Sequence, residues 1–286
     1  MARIKAIWAI FALTVVSVAL IPPQWLAVRL GHPLQRKLPH VWHCVATRLV
    51  GIRVQQVGAP ECGRPLLITA NHASWVDITV VGSLMPLSFI AKSEVAAWPI
   101  FGLFAKLQRT VFVNRTRRTD TGKVADAIAE RMAQGDAMVL FAEGTSNDGN
   151  GVLPFRSALL GAATRALDED GEVWVQPLSV AYHSLHGLPM GRQFRPHVAW
   201  YGDMELAGHL WGVFTEGALD VVVTWGEPVL VTSTTDRKAL TRQLEEQVRA
   251  MTVASLRGRG VDLFKTSDIS DTALFSSDPK PAKAGG

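Results

Sequence analysis

The fold of this chain is constrained most by an alternation between strand-length apolar runs and longer helical segments, which begins at Gly51. The runs typical of strands cover residues 53–57, 66–70, 87–91, 110–113, 137–141, 173–180, 198–201 and 221–225. Helical segments lie between or after them, one beginning at Asp77 and others covering 97–107, 122–134, 155–167 and 237–256. Residues 206–214 are apolar enough for either a helix or a membrane-touching loop. Such alternation predicts an α/β domain whose mixed, mostly buried sheet is flanked by helices.

A polar turn follows the apolar run 66–70 and carries the first candidates for chemistry. It is Asn-His-Ala-Ser-Trp-Val-Asp over residues 71–77, so His72 and Asp77 are five positions apart. An imidazole beside a carboxylate makes a general base at neutral pH, because the carboxylate fixes its tautomer and stabilises its charged form. Positions i and i+5 of one helix lie roughly 140° apart. The pair therefore meets only if His72 lies on the turn and Asp77 reaches back from the first helical turn. Alone, the pair is equally typical of a structural histidine near a helix N-terminus.

The N-terminal segment has no charged residue between Lys5 and Arg29. Residues 6–21 are almost wholly apolar, and Pro22-Pro23 is expected to interrupt them. A helix of that length rises about 24 Å, slightly less than a hydrocarbon core of about 30 Å. Three alternatives remain: a short transmembrane helix, a helix that enters one leaflet and turns at the prolines, and a cleaved signal peptide. A membrane anchor is favoured, because the rest of the chain is typical of a cytosolic enzyme.

These patterns divide the chain into four parts. Residues 1–30 are expected to anchor the protein in a membrane, and 31–50 to form an amphipathic, basic helix that packs on the α/β domain or lies at the membrane interface. The α/β domain is expected to cover 51–265, and a disordered tail 266–286. If the first segment spans the membrane, the excess of basic residues after it places the α/β domain on the cytoplasmic face.

The net charge and the cysteine content indicate which partners and which cell compartment suit this chain. A net charge of +4 suits an anionic membrane surface, and no nucleic-acid motif accompanies it, so no nucleic-acid partner is expected. Cys44 and Cys62 have no metal-ligand spacing and suggest no disulfide framework, which favours a reducing compartment. With neither a metal cluster nor a dinucleotide-binding loop in the sequence, we expect no bound cofactor and no metal site.

Three further segments follow the turn at 71–77 in a fixed order. They are Trp-Pro-Ile-Phe-Gly at 98–102 with Val-Phe-Val-Asn-Arg at 111–115, then Phe-Ala-Glu-Gly-Thr-Ser at 141–146, then Val-Gln-Pro-Leu-Ser-Val at 175–180. With the turn, they resemble the four ordered blocks of the glycerolipid acyltransferase family, whose best-known members acylate lysophosphatidic acid. The resemblance is close over residues 65–180 and looser over about 41–260. It implies the glycerolipid acyltransferase fold.

The resemblance also implies the reaction. A fatty acyl chain would pass from a thioester of acyl carrier protein or coenzyme A directly to the hydroxyl of a membrane lysolipid, with no Ser or Cys nucleophile. His72 would be the general base and Asp77 would orient it.

The same blocks imply the residues that bind the substrates. Arg115 matches the arginine that holds the phosphate or other head group of the acceptor, a task that suits a guanidinium fork. The acceptor-binding loop would comprise Glu143, Gly144, Thr145 and Ser146. Pro177, in the fourth block, would shape the acyl-donor side of the cleft.

Two departures from the third block bear on the acceptor. Where the family has Phe-Pro-Glu-Gly-Thr-Arg, this chain has Ala142 for the proline and Ser146 for the arginine. The lost charge-assisted hydrogen bond to phosphate is worth about 1.5–3 kcal/mol. The change resembles the branch of bacterial lyso-ornithine lipid O-acyltransferases, and Asp148 could then meet a cationic head group. Arg156 could instead supply the missing charge, so lysophosphatidic acid stays the alternative acceptor.

Two hypotheses from other classes compete with this one. A non-catalytic lipid-binding protein with the same fold is disfavoured by the intact pair of His72 and Asp77. A lipid-directed serine hydrolase is disfavoured because the sequence has no Gly-x-Ser-x-Gly elbow.

Overall fold

The computed structural model describes residues 1–61, 66–113, 121–161 and 172–258. Its α-helices are α1 Ala2–Arg29, α2 Leu34–Val50, α3 Val76–Gly82, α4 Phe101–Leu107, α5 Thr121–Ala133, α6 Ser157–Leu160, α7 Leu206–Glu216 and α8 Arg237–Leu256. Its strands are β1 Ile52–Val57, β2 Leu66–Ala70, β3 Ser88–Lys92, β4 Val111–Val113, β5 Met138–Phe141, β6 Glu172–Leu185, β7 Leu188–Pro189, β8 Leu219–Trp225 and β9 Val229–Thr232. Short 3-10 helices cover Ser93–Ala97 and Arg195–His197.

The described strands form one mixed sheet in the order β1-β8-β6-β2-β5-β3-β4, which confirms the predicted α/β class. From β6 to β4 the neighbouring strands are parallel. The 14-residue strand β6 joins the parallel and antiparallel parts of the sheet, because it pairs in parallel with β2 and antiparallel with β8 and β9. The carboxyl ends of β2, β5 and β3 therefore meet at one edge of the sheet, the edge where open parallel sheets place their sites.

Both faces of the sheet are covered, as the continuous apolar runs predict. Successive residues of β2 point to opposite sides, so Leu66 and Ile68 join one core cluster and Leu67 joins the other. The first cluster is closed by α1, α3 and α7, and the second by α5, α6 and α8. The site edge is thus held between two packed layers.

Most predicted elements are confirmed within a residue or two, but the strand predicted over 173–180 continues to Leu185 and two other predictions differ. Residues 198–201 are not a strand: they follow the 3-10 helix, and their described main-chain contact with the sheet region is Trp200 N–H to the Ala73 carbonyl, beyond the end of β2. The helix predicted over 97–107 begins only at Phe101, because Ile100 has a positive φ of 63° that breaks the helical path. The undecided segment 206–214 is helical. Part of the helix predicted at 155–167, and the tail from 266, lie outside the described residues.

The N-terminal helix does not turn at its prolines. α1 continues through Pro22 and Pro23 to Arg29. Gln24, just after them, donates from Nε2 to the carbonyls of Leu107 and Gln35. These tertiary contacts hold the helix in line where proline removes its own hydrogen bonds.

α2 packs on the α/β domain, which is one of the two alternatives predicted for residues 31–50. His43 is its most tightly enclosed titratable group: a Cβ added at Gly82 of α3 would lie 2.4 Å from the His43 ring. Nε2 of His43 lies 2.7 Å from Oε1 of Gln108. Burial lowers the pKa of His43 from 6.5 to about 4, against the opposing effect of that hydrogen bond.

We expect the contribution of His43 to the free energy of unfolding to fall as the pH drops from 6.5 to about 4. In that interval the unfolded chain protonates His43 while the folded chain keeps it neutral, so folding stability is full above pH 6.5 and is lost below it. The lowered pKa of His43 corresponds to about 3 kcal/mol of unfolding free energy. Thermal unfolding in detergent at pH 7 and pH 4.5 measures it. His43→Gln keeps a donor for Gln108 and does not titrate between pH 7 and pH 4.5. This variant should therefore lose less stability on acidification than the wild type. Equal losses in both proteins would contradict this assignment.

Candidate active site

The turn after β2 brings His72 and Asp77 into contact, as the geometric prediction required. His72 lies on the turn, Asp77 lies in the first turn of α3, and Nδ1 of His72 is 2.8 Å from Oδ2 of Asp77. The carboxylate accepts, so Nδ1 carries the ring proton and Nε2 keeps its lone pair. Among the described residues Nε2 has no hydrogen-bond partner, and the His72 side chain is 20% exposed. This is the geometry of an oriented imidazole with a free basic nitrogen.

Asp77 is fully buried and accepts from more donors than His72 alone. Oδ2 also accepts from the backbone N–H groups of Ala73, at 2.7 Å, and Ser74, at 2.9 Å. The one carboxylate therefore stabilises the turn and orients the His72 ring at the same time. Ser74 is itself buried, with its Oγ 3.3 Å from the Val76 N–H, a placement that agrees with a structural role for this serine.

Tyr182 completes the surroundings of Asp77, and the sequence reasoning missed it. Its hydroxyl donates to Oδ1 of Asp77 from the carboxyl half of β6. Burial, together with the charge of Asp77, raises the pKa of Tyr182 well above its usual value, so the hydroxyl stays a donor. The strand predicted over 173–180 ends before this residue, although its alternation continued by two residues would place Tyr182 on the same face as Val180.

Asn71 joins the turn after β2 to β6. Its Nδ2 donates to the carbonyl of Val180 at 2.9 Å, and its Oδ1 accepts from the N–H of Val180 at 2.8 Å. The side chain thus extends the pairing of β2 with β6 by one step after the β2 backbone has turned away. The side chain of Asn71 therefore has a hydrogen-bonding role in the fold.

Glu143 lies beneath His72. Its Oε1 accepts from the backbone N–H of His72 at 2.9 Å, and its Oε2 accepts from Nδ2 of Asn147 and the N–H of Leu153. Burial raises the pKa of Glu143 to about 7, although these three donors act to lower it. The structure gives Glu143 a supporting position below His72, and its contact with the acceptor stays a prediction.

The rest of the third block forms the loop after β5. Gly144 adopts a positive φ of 74°, which a residue with a Cβ rarely accepts, and so permits the sharp turn after Glu143. Thr145 is exposed and Ser146 half-exposed on this loop. The guanidinium of Arg156 lies against it, with Nε 3.2 Å from the Glu143 carbonyl. The loop therefore has a cation beside it even though the arginine of the family pattern is absent.

The aromatic residue that ends β5 supports the base from one side. The rings of His72 and Phe141 stack, with centroids 4.1 Å apart and 15° between their planes. Phe89 of β3 stacks on the far side of Phe141, with centroids 6.1 Å apart. The plane of the imidazole is thus fixed by two neighbouring strands.

Pro177, in the fourth block, makes no described contact with this cluster. Pro177 is buried within β6, and its ring lies so close to Gly226 that an added Cβ there would come within 2.7 Å. Its predicted role at the acyl-donor side stays a prediction beside this packing role. Arg115 lies outside the described residues.

Comparison with known proteins agrees with this fold and site. The crystal structure of the 1-acyl-sn-glycerophosphate (LPA) acyltransferase PlsC from Thermotoga maritima superimposes with a TM-score of 0.59. It has 20% sequence identity and covers 94% of this chain and 100% of that one, which establishes the shared fold. The model of the Acyltransferase family matches residues 50–181, the segment that carries His72, Asp77 and Glu143.

The similarity to individual relatives is greater. A lyso-ornithine lipid O-acyltransferase of Brucella abortus (strain 2308) is 52% identical over 260 residues, which cover 90% of this chain and 97% of the relative. The chain belongs to the Acyltransferase family and is an acyltransferase. A 1-acyl-sn-glycerol-3-phosphate acyltransferase of Neisseria gonorrhoeae is 33% identical over 193 residues, 68% of this chain and 71% of that protein.

Replacing Tyr182 by phenylalanine should destabilise the protein. It leaves the buried Oδ1 of Asp77 without its donor, which costs about 1–3 kcal/mol. Chemical unfolding of the detergent-solubilised protein measures the loss. Tyr201→Phe, at the chain's other tyrosine, is the matched control and should change stability by much less. An unchanged unfolding midpoint for Tyr182→Phe would show that Asp77 does not depend on this hydroxyl.

Proposed function

We propose that this acyltransferase moves a fatty acyl chain from a thioester to the free hydroxyl of a lysolipid, with His72 as general base. The observation that carries the proposal is the 2.8 Å contact of His72 Nδ1 with Asp77, which leaves Nε2 able to accept a proton. The acceptor oxygen attacks the thioester carbonyl carbon while its proton passes to Nε2. The carbon–sulfur bond then breaks, and the proton passes on to the leaving thiolate. The products are an ester and a free thiol.

For the acceptor we favour lyso-ornithine lipid. Ser146 stands where a phosphate-binding arginine is expected, and the relative that is 52% identical carries this activity in its name. Lysophosphatidic acid is the second candidate, which the position of Arg156 beside the Glu143 carbonyl favours. The donor is the thioester of acyl carrier protein or of coenzyme A.

We propose further that α1 lies along one leaflet of the membrane. α1 has a mean hydropathy of 2.3 over its most apolar window, and only 17% of that window is buried. Its packed face is made of small residues such as Ala6 and Ala9, and near its other end Gln24 bonds to Leu107. Because both ends touch the α/β domain, the helix runs beside the domain, and its outer apolar face is free to enter lipid.

This outer face, which we call the lipid face, runs the length of the helix. Its exposed side chains are Ile4, Ile7, Trp8, Phe11, Val15, Val18, Trp25 and Leu26. Their spacing of three and four residues places them on one side of a helix about 42 Å long. A bacterial inner membrane, entered from its cytoplasmic side, is the proposed location, because carrier-protein and coenzyme A thioesters are found there.

Substituting His72 by alanine should abolish transfer. Loss of a general base lowers the rate by about 10²- to 10⁴-fold. The measurement is acyl transfer by the solubilised full chain from acyl carrier protein thioester to lyso-ornithine lipid and, separately, to lysophosphatidic acid. His186→Asn is the control, because this histidine is half-exposed and its positive φ of 54° is tolerated by asparagine. Transfer that survives His72→Ala would overturn the mechanism. Faster acylation of lysophosphatidic acid would overturn the choice of acceptor.

Replacing Phe11 and Val15 by aspartate should weaken membrane binding. Each wild-type side chain is more than half exposed, so the pair contributes to lipid contact and little to folding. We expect a loss of at least about tenfold in partition onto phosphatidylethanolamine–phosphatidylglycerol vesicles, measured by flotation. The apolar replacement Phe11→Leu with Val15→Ile should bind as the wild type does. Unchanged flotation of the aspartate variant would contradict the lipid face.

A further inference from the structure

Arg195 is a buried arginine with few of its donors used. Its side chain lies at the second 3-10 helix and is 7% exposed. Nη1 donates to Oδ1 of Asn150 at 2.6 Å, and Nη2 donates to the carbonyl of Met190 at 3.2 Å. A guanidinium has five N–H donors, and Nε has no partner among the described residues. Within the described part of the chain no carboxylate forms an ion pair with it, which is unusual for a buried charge.

An acidic residue is nevertheless held in the same network. Asp148 accepts from the N–H and the Nδ2 of Asn150, each at 3.0 Å, while Asn150 accepts from Arg195. Asn150 thus lies between the carboxylate of Asp148 and the guanidinium of Arg195, and these two charged groups form no described ion pair. We call Asp148, Asn150 and Arg195 the Asp–Asn–Arg network.

The network adjoins the catalytic turn. The N–H of Asn147 donates to the carbonyl of His72 at 2.9 Å, which docks the loop on the base. A Cβ added at Gly149 would lie 3.7 Å from the Cβ of Ala73 and 3.8 Å from the Cβ of Arg195. A lysolipid whose hydroxyl is at His72 would therefore have its head group close to the network.

The charges of the network are incompletely balanced. Burial and the like charge of Arg192 lower the pKa of Arg195, and Asp148 only partly opposes them. Burial acts to raise the pKa of Asp148, but the two hydrogen bonds from Asn150 and the charges of Arg195 and Arg192 lower it overall. Two cations thus face one carboxylate, so an anion is the group that this region lacks.

We propose that the Asp–Asn–Arg network binds the zwitterionic head group of an amino-acid lysolipid. Arg195 would bind the α-carboxylate of the acceptor through its unused N–H donors, and the exposed Asp148 would bind the side-chain ammonium. This inference rests on the proposed function and deepens it, since it explains how a chain without the third-block arginine recognises its acceptor. An ornithine head group carries both charges on one short chain, whereas a lysophosphatidic acid head group carries only the negative one.

The test pairs protein variants with changed acceptors. The full chain is assayed in mixed micelles with lyso-ornithine lipid, with its α-carboxamide, and with its δ-N-acetyl form. For the wild type we expect kcat/KM to fall about 10- to 100-fold for each neutralised acceptor. Arg195→Gln should lose the preference for the carboxylate over the carboxamide, and Asp148→Asn the preference for the ammonium over its acetylated form. Each variant should keep the other preference.

The ratio between two acceptors is measured within one protein, so it does not depend on the fraction that folds. Arg195→Lys keeps the charge and should retain part of the carboxylate preference, which guards against failure of Arg195→Gln to fold. Arg242→Gln, a loss of charge on the exposed side of α8, should leave both ratios unchanged.

The outcomes separate this inference from the proposed function. If the wild type acylates lyso-ornithine lipid with His72 dependence but Arg195→Gln and Asp148→Asn lower the rates for all acceptors equally, the network is merely structural and the inference is wrong. If the wild type itself does not distinguish the charged from the neutral acceptors, the inference is also wrong. If the wild type acylates lysophosphatidic acid instead, the choice of acceptor and this inference both fail, and a drop in that rate for Arg195→Gln alone would assign Arg195 to phosphate.

Discussion

The arrangement of the site depends on the hydrogen bonds that Asp77 accepts. Four donors converge on this fully buried carboxylate: the ring of His72, two backbone N–H groups of the turn, and the hydroxyl of Tyr182. A carboxylate without such donors would be very unfavourable at this depth. Folding of the turn, orientation of the imidazole and docking of β6 therefore occur together. His72 is positioned as a consequence of stabilising the fold.

Glu143, which follows the neighbouring strand β5, is held in the same way as Asp77. It is also buried, and it too accepts from main-chain and side-chain N–H groups, one of which belongs to His72. The turn after β2 is thus held by a carboxylate on each side, from α3 and from the loop after β5. The adjacent parallel strands make this possible, because they bring both loops to the same edge of the sheet.

The local parts of this structure are predictable from the sequence, and the long-range parts are not. β2 and its turn follow from an apolar run with a polar end, and the meeting of His72 with Asp77 follows from helical geometry. Tyr182 lies 105 residues from Asp77, and no local pattern links them. The passage of α1 through two prolines is likewise set by tertiary contacts of Gln24 rather than by propensity. Residues 198–201 have strand-like composition, yet the described main-chain bond of Trp200 is to the carbonyl of Ala73, beyond the end of β2, and not to a strand.

The attachment of α1 along the α/β domain has a consequence for how substrates arrive. With α1 in one leaflet, as we propose, a helix held at both ends leaves the domain little freedom to tilt, so His72 would keep one height and one orientation relative to the lipid. In that arrangement the acceptor would reach His72 by lateral diffusion in two dimensions, and the thioester would reach it from water in three. The relevant concentration of acceptor would be its mole fraction in the leaflet, so added inert lipid would lower it by dilution alone and leave the donor concentration unchanged.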